Sequence, residues 1–525
     1  MEESPKAATT DVRRHYRPHV LVFIAGFCLM VVELVASRIV APYLGSSLYT
    51  WTGVIGVVLL GIAIGNYVGG ILAEQGIGWR GIGLIFVLAG LMAILSFYLS
   101  RPVAESIKLL QPPLQAGIII FALLEFFPIS LLLSMVTPIV ISLSLNDLKK
   151  TGTTVGRIYA VSSAASIIGT FATGLLLIPS LGVKTIILCV ASLLLLTGIA
   201  TARDRRLTTG GPMLVMVLLL WASLFLPRFC TTETAYYCVR IKSSVADSGV
   251  PDRILILDKL IHSHVTAEAG RLGYDYETTY AIAADYAAGR RGPDPLRVLF
   301  VGGGGYVMPR FLEETKPEAQ LTVAEIDPGV TRTAIQNFGI NPQGRIRTVN
   351  EDARTFLTDH AAGQTYDLVY GDAYNDISVP YHLTTEEFFT LVRDHLAPRG
   401  LYALNIIDST DHGRVLASFM RTAAAVFPYL EVGTLNPKWQ DNPYRTTFIL
   451  LASNEPLDRD AWQAAARTAY GQDIILPAPI PVEAAGYLMS ADEKKGFLAD
   501  HRGLVLTDDY VPIDSLILPL FRDIY

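Results

Sequence analysis

"VLFVGGGGYVMPRFLEETKPEAQLTVAEIDP" (Val298–Pro328) sets a short apolar run ahead of four glycines, then a helix-like stretch, then a second apolar run ending in Glu325. Strand, glycine turn and helix in this order let a backbone approach a ligand closely and turn away tightly. A P-loop kinase is excluded, because no Lys-Ser/Thr pair follows the glycines. A dinucleotide dehydrogenase is disfavoured, because the residue three beyond Gly304 is Val307 rather than glycine. Glu325 stands about 20 residues past the loop, where a carboxylate accepts hydrogen bonds from ribose hydroxyls. A loop with no phosphate to hold, and acids around it, favours a sulfonium adenosine ligand.

Outward from this stretch the pattern alternates strand and helix. Strands are expected at 297–301, 321–326, 346–350, 367–371 and 401–407, with helices between them. One such helix runs from Thr384 to His395, with Thr384 or Thr385 as its N-cap. Such alternation predicts a doubly wound, Rossmann-like α/β domain with a parallel sheet, which binds ligands beyond the carboxyl ends of its strands. At those ends stand Gly302–Gly305, Glu325 with Asp327, Glu351 with Asp352, and Gly371 with Asp372. The third-strand carboxylate suits an adenine amino group. Asp372, when ionised, can deprotonate or hold an attacking amine; a turn or helix-cap role in "GDAYND" is equally open. Ahead of the domain, "AYYCVRI" and "RILILD" read as a small β segment.

The first 227 residues differ in kind. The 525-residue chain is 51% hydrophobic and 17% charged, and the apolar residues are concentrated at its N-terminal end. Seven windows have the length and apolarity of membrane spans: 19–41, 52–73, 81–100, 115–136, 156–178, 184–201 and 212–227. The run "SMVTPIVISLSL" (134–145) reads as a re-entrant segment or part of a further span. "GVIGVVLLGIAIGNYVGG" predicts helices packed closely through small residues. Glu33 with Arg38, and Glu125, each read either as fixing helix packing or as serving a substrate path. The organisation expected is a tail (1–18), an all-α multi-pass membrane domain (19–227), a β-rich lead-in (228–295) and the α/β domain (296–525).

An N-terminus in the cytoplasm places Arg13, Arg14, Arg17, Arg80, Lys149, Lys150, Arg157, Arg203, Arg205 and Arg206 inside, and only Arg101, Lys108 and Lys184 outside. Seven spans then put the α/β domain outside a plasma (inner) membrane, whereas adenosyl cofactor supply points to the cytoplasm. Cys230 and Cys238 have no partners at metal-ligand spacing and read as ordinary thiols, with a disulfide as the alternative. A net charge of −6 and the absence of a basic tract exclude nucleic acid. No metal is expected.

These residues together resemble the spermidine synthases (polyamine aminopropyltransferases), in the variant fused to a multi-pass membrane domain. The resemblance rests on "ELVASRIVAPYLGSSLYTWTGVIG", "GRIYAVSSAASIIGTFATGLLLIPSLG", "LILDKLIHSHV", "VLFVGGGGYVMPRFLE", "VAEIDPGV", "EDARTFL" and "DLVYGDAYNDISVPYHLTTEEFF". It implies transfer of the aminopropyl group of decarboxylated S-adenosylmethionine to an amine, releasing methylthioadenosine. It also implies that Gly302–Gly304 approach the nucleoside, Glu325 holds the ribose, and Asp352 with Ala353 holds the adenine. His262 falls near the tail of the cofactor, Tyr276 and Glu277 match a Tyr-X-Glu patch lining the site, and Asp372 matches the acid that helps the amine lose its proton.

Two positions depart from the family. Gly305-Tyr306 replaces an Asp-Gly whose acid contacts the aminopropyl amine, and Asn375, with Asp376 one further on, replaces a second acid. The adenosyl pocket survives these changes; the polyamine acceptor is weakened. A methyltransferase using S-adenosylmethionine on a membrane-associated or extracytoplasmic acceptor is the alternative. A transporter or sensor with a non-catalytic adenosyl- or polyamine-binding domain is a further one. Expected partners are the lipid bilayer and a small-molecule amine or other acceptor; a homodimer is compatible.

Overall fold

The computed structural model describes residues 5–145, 147–202, 229–245, 251–266, 271–374, 379–435, 438–441, 445–471 and 482–521, with isolated residues between 214 and 222. Two compact units emerge, Met1–Ala235 and Tyr236–Ile524.

In the first unit, six described helices are long and apolar enough to cross a membrane: Arg17–Leu44, Leu48–Glu74, Trp79–Leu110, Phe127–Ser144, Leu148–Ser180 and Val183–Ala202. The window at 115–136 is not one continuous span. It is split at Phe126 into a shorter helix, Leu114–Glu125, and the helix Phe127–Ser144. Pro128 sits in the first turn of the second helix, where it lacks an N–H to donate back and crowds the preceding turn. The stretch 134–145 lies almost wholly within this helix. The window at 212–227 falls largely outside the described residues.

The glycine stripe packs as its spacing predicts. A Cβ on Gly69 would lie 2.7 Å from the Met135 carbonyl oxygen, and Cβ atoms on Gly61 and Gly65 would overlap Ser130 and the Leu131 carbonyl. Gly61, Gly65 and Gly69 thereby let Leu48–Glu74 pack backbone to backbone on Phe127–Ser144. Arg38 donates to the carbonyl oxygens of Thr234 and Ala235. Glu125 is buried, and neither carboxylate oxygen has a hydrogen-bond partner among the described residues. Cys230 and Cys238 are each disulfide-bonded rather than free thiols.

The second unit begins with β1 (Cys238–Val245), β2 (Pro251–Leu257) and β3 (Leu260–Thr266), paired antiparallel in succession. Helix α1 (Tyr276–Arg291) leads from them into the main sheet. That sheet contains β4 (Arg297–Val301), β5 (Gln320–Ala324), β6 (Ile346–Val349), β7 (Tyr366–Gly371), β8 (Leu396–Asp408), β9 (Tyr429–Gly433) and β10 (Thr446–Ser453). Its order is β9-β10-β8-β7-β4-β5-β6. The five strands β4 to β8 pair parallel, as their near-continuous apolar runs predict for strands covered on both faces. The sheet is nevertheless mixed, since β10 pairs antiparallel with both β8 and β9.

Between strands lie α2 (Val307–Thr315), α3 (Pro328–Asn337) and α4 (Glu386–Asp394). Thr385 caps α4, its hydroxyl accepting from the Phe388 N–H at 3.4 Å. Strand order reverses about β4, whose neighbours are β7 and β5, and this reversal opens a crevice at the carboxyl ends of the strands.

Candidate functional site

A cavity of about 470 Å³ occupies that crevice. Gly302, Gly303 and Gly304 form one wall, His262 and Ser263 of β3 a second, and Tyr276, Glu277 and Asp372 a third.

The loop is held by backbone geometry. Gly302 has φ +94°, and a Cβ there would lie 2.7 Å from the Asp372 carbonyl oxygen. Glu325 braces the next turn: its carboxylate accepts from the Gly303 N–H at 2.8 Å and from the Asp327 N–H at 2.9 Å. Burial pushes the Glu325 carboxyl up, against the downward pull of these N–H donors. Gly305 packs on β3, its N–H donating to Ser263 Oγ at 2.9 Å. Tyr306 then turns left-handed, with φ +58°, and enters the core. Its hydroxyl is 3.0 Å from Thr331 Oγ1 and 3.3 Å from Thr348 Oγ1.

Asp372, at the end of β7, is the most constrained acid. Tyr276 Oη donates to its Oδ2 at 2.9 Å, and Asn405 Nδ2 to its Oδ1 at 2.8 Å. Burial raises its carboxyl above the ordinary range, and these two donors oppose the rise. Glu277 is buried beside it, accepting from the Gly273 and Tyr274 N–H groups at 2.7 and 2.9 Å. Burial pushes Glu277 up to about 8, with the nearby Asp372 charge adding to the rise and the two N–H groups resisting it. Glu277 is therefore neutral at pH 7 while it faces Asp372. Tyr276, Tyr280, Tyr370 and Phe300 form a continuous aromatic wall, with successive ring centroids 5.5, 4.5 and 5.0 Å apart.

His262 is lowered to about 4 by burial, so its ring is neutral at pH 7. Among the described residues its Nε2 has no hydrogen-bond partner, and neither does Asn405 Oδ1. Both residues line the cavity, and both buried atoms need a polar partner that a ligand can supply.

Gly305, Glu325, Asp327, Asp352 and Ala353 stand outside this lining. Asp327 caps α3 through the Gly329 N–H at 2.7 Å. Asp352 accepts from the Arg354 and Thr355 N–H groups at 3.0 Å, and lies 2.7 Å from His382 Nε2. Burial raises its carboxyl, but these partners outweigh burial and hold it below the ordinary range. Ala353 is buried directly after this cap. The hydroxyl of Tyr236 lies within electrostatic range of Glu325, Asp327 and Asp352, which marks a second, acidic rim. Asn375 and Asp376 fall outside the described residues.

Sequence reasoning missed Ser263, Asn405 and Arg445, which line the cavity. Asn405 alone had a usable signal, as a polar residue inside the apolar run "LYALNIID". No group of three or more His, Cys, Asp or Glu side chains is placed to hold a metal ion among the described residues.

A switch-point cavity, a glycine loop braced by a strand-end glutamate, and a buried aspartate opposite define a nucleoside-binding α/β domain. Residues 286–436 match the spermine/spermidine synthase domain, and the C-terminal unit is of that type. A probable polyamine aminopropyl transferase of Bifidobacterium longum is 26% identical over 296 residues, covering 55% of this chain and 63% of that protein. The chain thus spans less than two thirds of that relative's length. Polyamine aminopropyltransferase 1 of Streptomyces coelicolor is 25% identical over 415 residues, covering 72% of this chain and 73% of that protein. The human eEF1A lysine and N-terminal methyltransferase is 30% identical over 148 residues, covering 26% and 21% respectively.

Proposed function

We propose that the chain is a membrane-anchored transferase that moves the aminopropyl group of decarboxylated S-adenosylmethionine to an amine, with the cavity at Gly302–Gly304 and Asp372 as its active site. The observation that carries this reading is Asp372, fixed from both sides by Tyr276 and Asn405 at the mouth of an adenosyl-type loop. The amine lone pair attacks the methylene carbon next to sulfur. The carbon–sulfur bond breaks, its electron pair stays on sulfur, and methylthioadenosine leaves as a neutral thioether. Asp372 takes the proton from the attacking nitrogen. Its burial-raised carboxyl is drawn back to the ionised form when a sulfonium cation lies across the cavity.

Glu325 is assigned to the ribose, using the lone pairs that remain after it braces the loop. Asp352 and the N–H of Ala353 are assigned to the adenine, on the rim shared with Asp327 and Tyr236. Neutral His262 offers Nε2 to the cofactor tail. The bilayer is the proposed partner of the six apolar helices. The disulfide bonding of Cys230 and Cys238 supports an oxidising compartment at that point of the chain, and the inside-positive charge count supports an N-terminus inside.

The second reading, methyl transfer from S-adenosylmethionine, is favoured by one observation: Gly305 offers no acid to the aminopropyl amine. Asp372→Asn tests the main reading. Turnover should fall at least a hundredfold while methylthioadenosine affinity stays within about threefold. A fully active variant removes Asp372 from the chemistry.

A further inference from the structure

The acceptor end of the cavity carries a cation. Arg445, immediately before β10, is the one lysine or arginine lining it among the described residues. It makes no ion pair with any other described residue, and it is solvent-exposed at the cavity wall. Thr434, Thr446 and Thr447 line the same end and add hydroxyls around it. Two tyrosines relate Arg445 to the catalytic aspartate, because the Tyr274 and Tyr374 hydroxyls each feel both the Arg445 and the Asp372 charge. Those hydroxyls are fixed: Tyr274 Oη donates to the Ile261 carbonyl at 2.9 Å, and Tyr374 Oη to the Asn405 carbonyl at 3.0 Å. Both charges therefore lie within electrostatic range of the same two fixed hydroxyls.

A plain diamine has a cation at each end and would bring one of them toward Arg445. Besides Asp372 the acids of the lining are Asp275 and Glu277; burial raises both, Glu277 to about 8, and Gly305 adds no acid. A guanidinium in a polar, open wall instead matches a carboxylate, with its paired N–H donors in the right fork.

We propose that Arg445 is a specificity residue and that the acceptor carries a carboxylate beside its nucleophilic amine, as a diamino acid does. In this arrangement Asp372 receives the amine and Arg445 the carboxylate. The assignment rests on the aminopropyl-transfer reading and names the acceptor class for that same site.

The test uses the purified full-length chain in detergent, decarboxylated S-adenosylmethionine, and two acceptor pairs that differ by one carboxylate: putrescine against ornithine, and cadaverine against lysine. The expected kcat/KM is at least tenfold higher for the carboxylated member of each pair. Arg445→Gln should cut that ratio at least tenfold, which is about 1.4 kcal/mol, and Arg445→Lys should restore part of it. A wild-type preference for the plain diamines, or a ratio unchanged in Arg445→Gln, overturns the proposal.

Calorimetric titration of the same four acceptors into protein preloaded with methylthioadenosine reads the preference without turnover. An Arg445-dependent carboxylate preference in binding, with no turnover, defeats aminopropyl transfer and leaves the Arg445 assignment standing. S-adenosylmethionine binding more tightly than its decarboxylated form, through Arg445, would place the carboxylate on the donor and overturn the acceptor assignment.

Discussion

The resemblance to the spermidine synthases implies an amine-binding acid at the position of Gly305, and the packing around it explains why no side chain is there. A Cβ on Gly305 would lie 2.5 Å from Ser263 Cβ, 2.8 Å from Ser263 Oγ and 2.9 Å from Val265 Cγ2. Carbon atoms rest at roughly 3.5–4.0 Å, so Gly305→Ala must push loop and β3 apart by about 1 Å. Overpacking of this kind costs about 1–3 kcal/mol. Losing the 2.9 Å bond from the Gly305 N–H to Ser263 Oγ adds about 1 kcal/mol. Because His262 precedes Ser263 on the displaced strand, much of this penalty should appear in ligand affinity. Gly305→Ala is expected to weaken methylthioadenosine binding at least tenfold by calorimetry on the full-length protein. Ser263→Gly in the same chain removes two of the three clashing atoms and should recover most of the loss. Gly305→Asp should behave no better than Gly305→Ala, and should not raise affinity for a diamine. Wild-type affinity in Gly305→Ala, or a double variant weaker than the sum of the single ones, would refute the packing argument.

Other expectations follow from the same geometry. Glu325→Ala frees the Gly303 and Asp327 N–H groups, so methylthioadenosine affinity should drop at least tenfold; unchanged affinity would remove Glu325 from both brace and ribose roles. Asn405→Ala takes one donor from Asp372 and raises its carboxyl further, so the acidic limb of the kcat/KM profile should move to higher pH, and an unmoved limb would contradict the assignment. Glu277 titrates near 4.5 when unfolded and about 8 when folded. The folded form thus holds a proton that the unfolded form releases, and stability should fall as pH rises from 4.5 to 8, then level off. Glu277→Gln should remove that part of the slope in chemical denaturation at stepped pH. Gly65→Leu should destabilise the first unit, because Leu131 and Ser134 fill the space; normal thermal stability in detergent would refute the close approach.

The parallel strands and the glycine loop were legible because buried parallel strands leave unbroken apolar runs and the turn between them needs glycine. Of the cavity residues, Asp372 alone stood at the end of such a strand; His262, Tyr276 and Glu277 were implied only by the family resemblance, and all four line one cavity. The antiparallel strands β9 and β10 were not legible, since they stand outside the strand–helix–strand alternation that marks the parallel ones. Asn405 and Arg445 come from β8 and the approach to β10, well beyond the glycine loop in sequence, and no motif ties them to it. Tyr306 looked like a missing Asp-Gly; only packing shows it filling the core under the loop. In the first unit, hydropathy located the apolar windows but could not see the break at Phe126, because both sides of it are equally apolar. The close glycine contacts were legible because their four-residue spacing puts them on one helix face.

Incubation of the purified chain with each sulfonium donor and a panel of amines, with the by-product identified by mass spectrometry, bears most directly on the central claim. Methylthioadenosine released from decarboxylated S-adenosylmethionine, in step with a product heavier by one aminopropyl group and absent in Asp372→Asn, is the expected result. S-adenosylhomocysteine as the by-product, or methylthioadenosine formed equally well by Asp372→Asn, would contradict it.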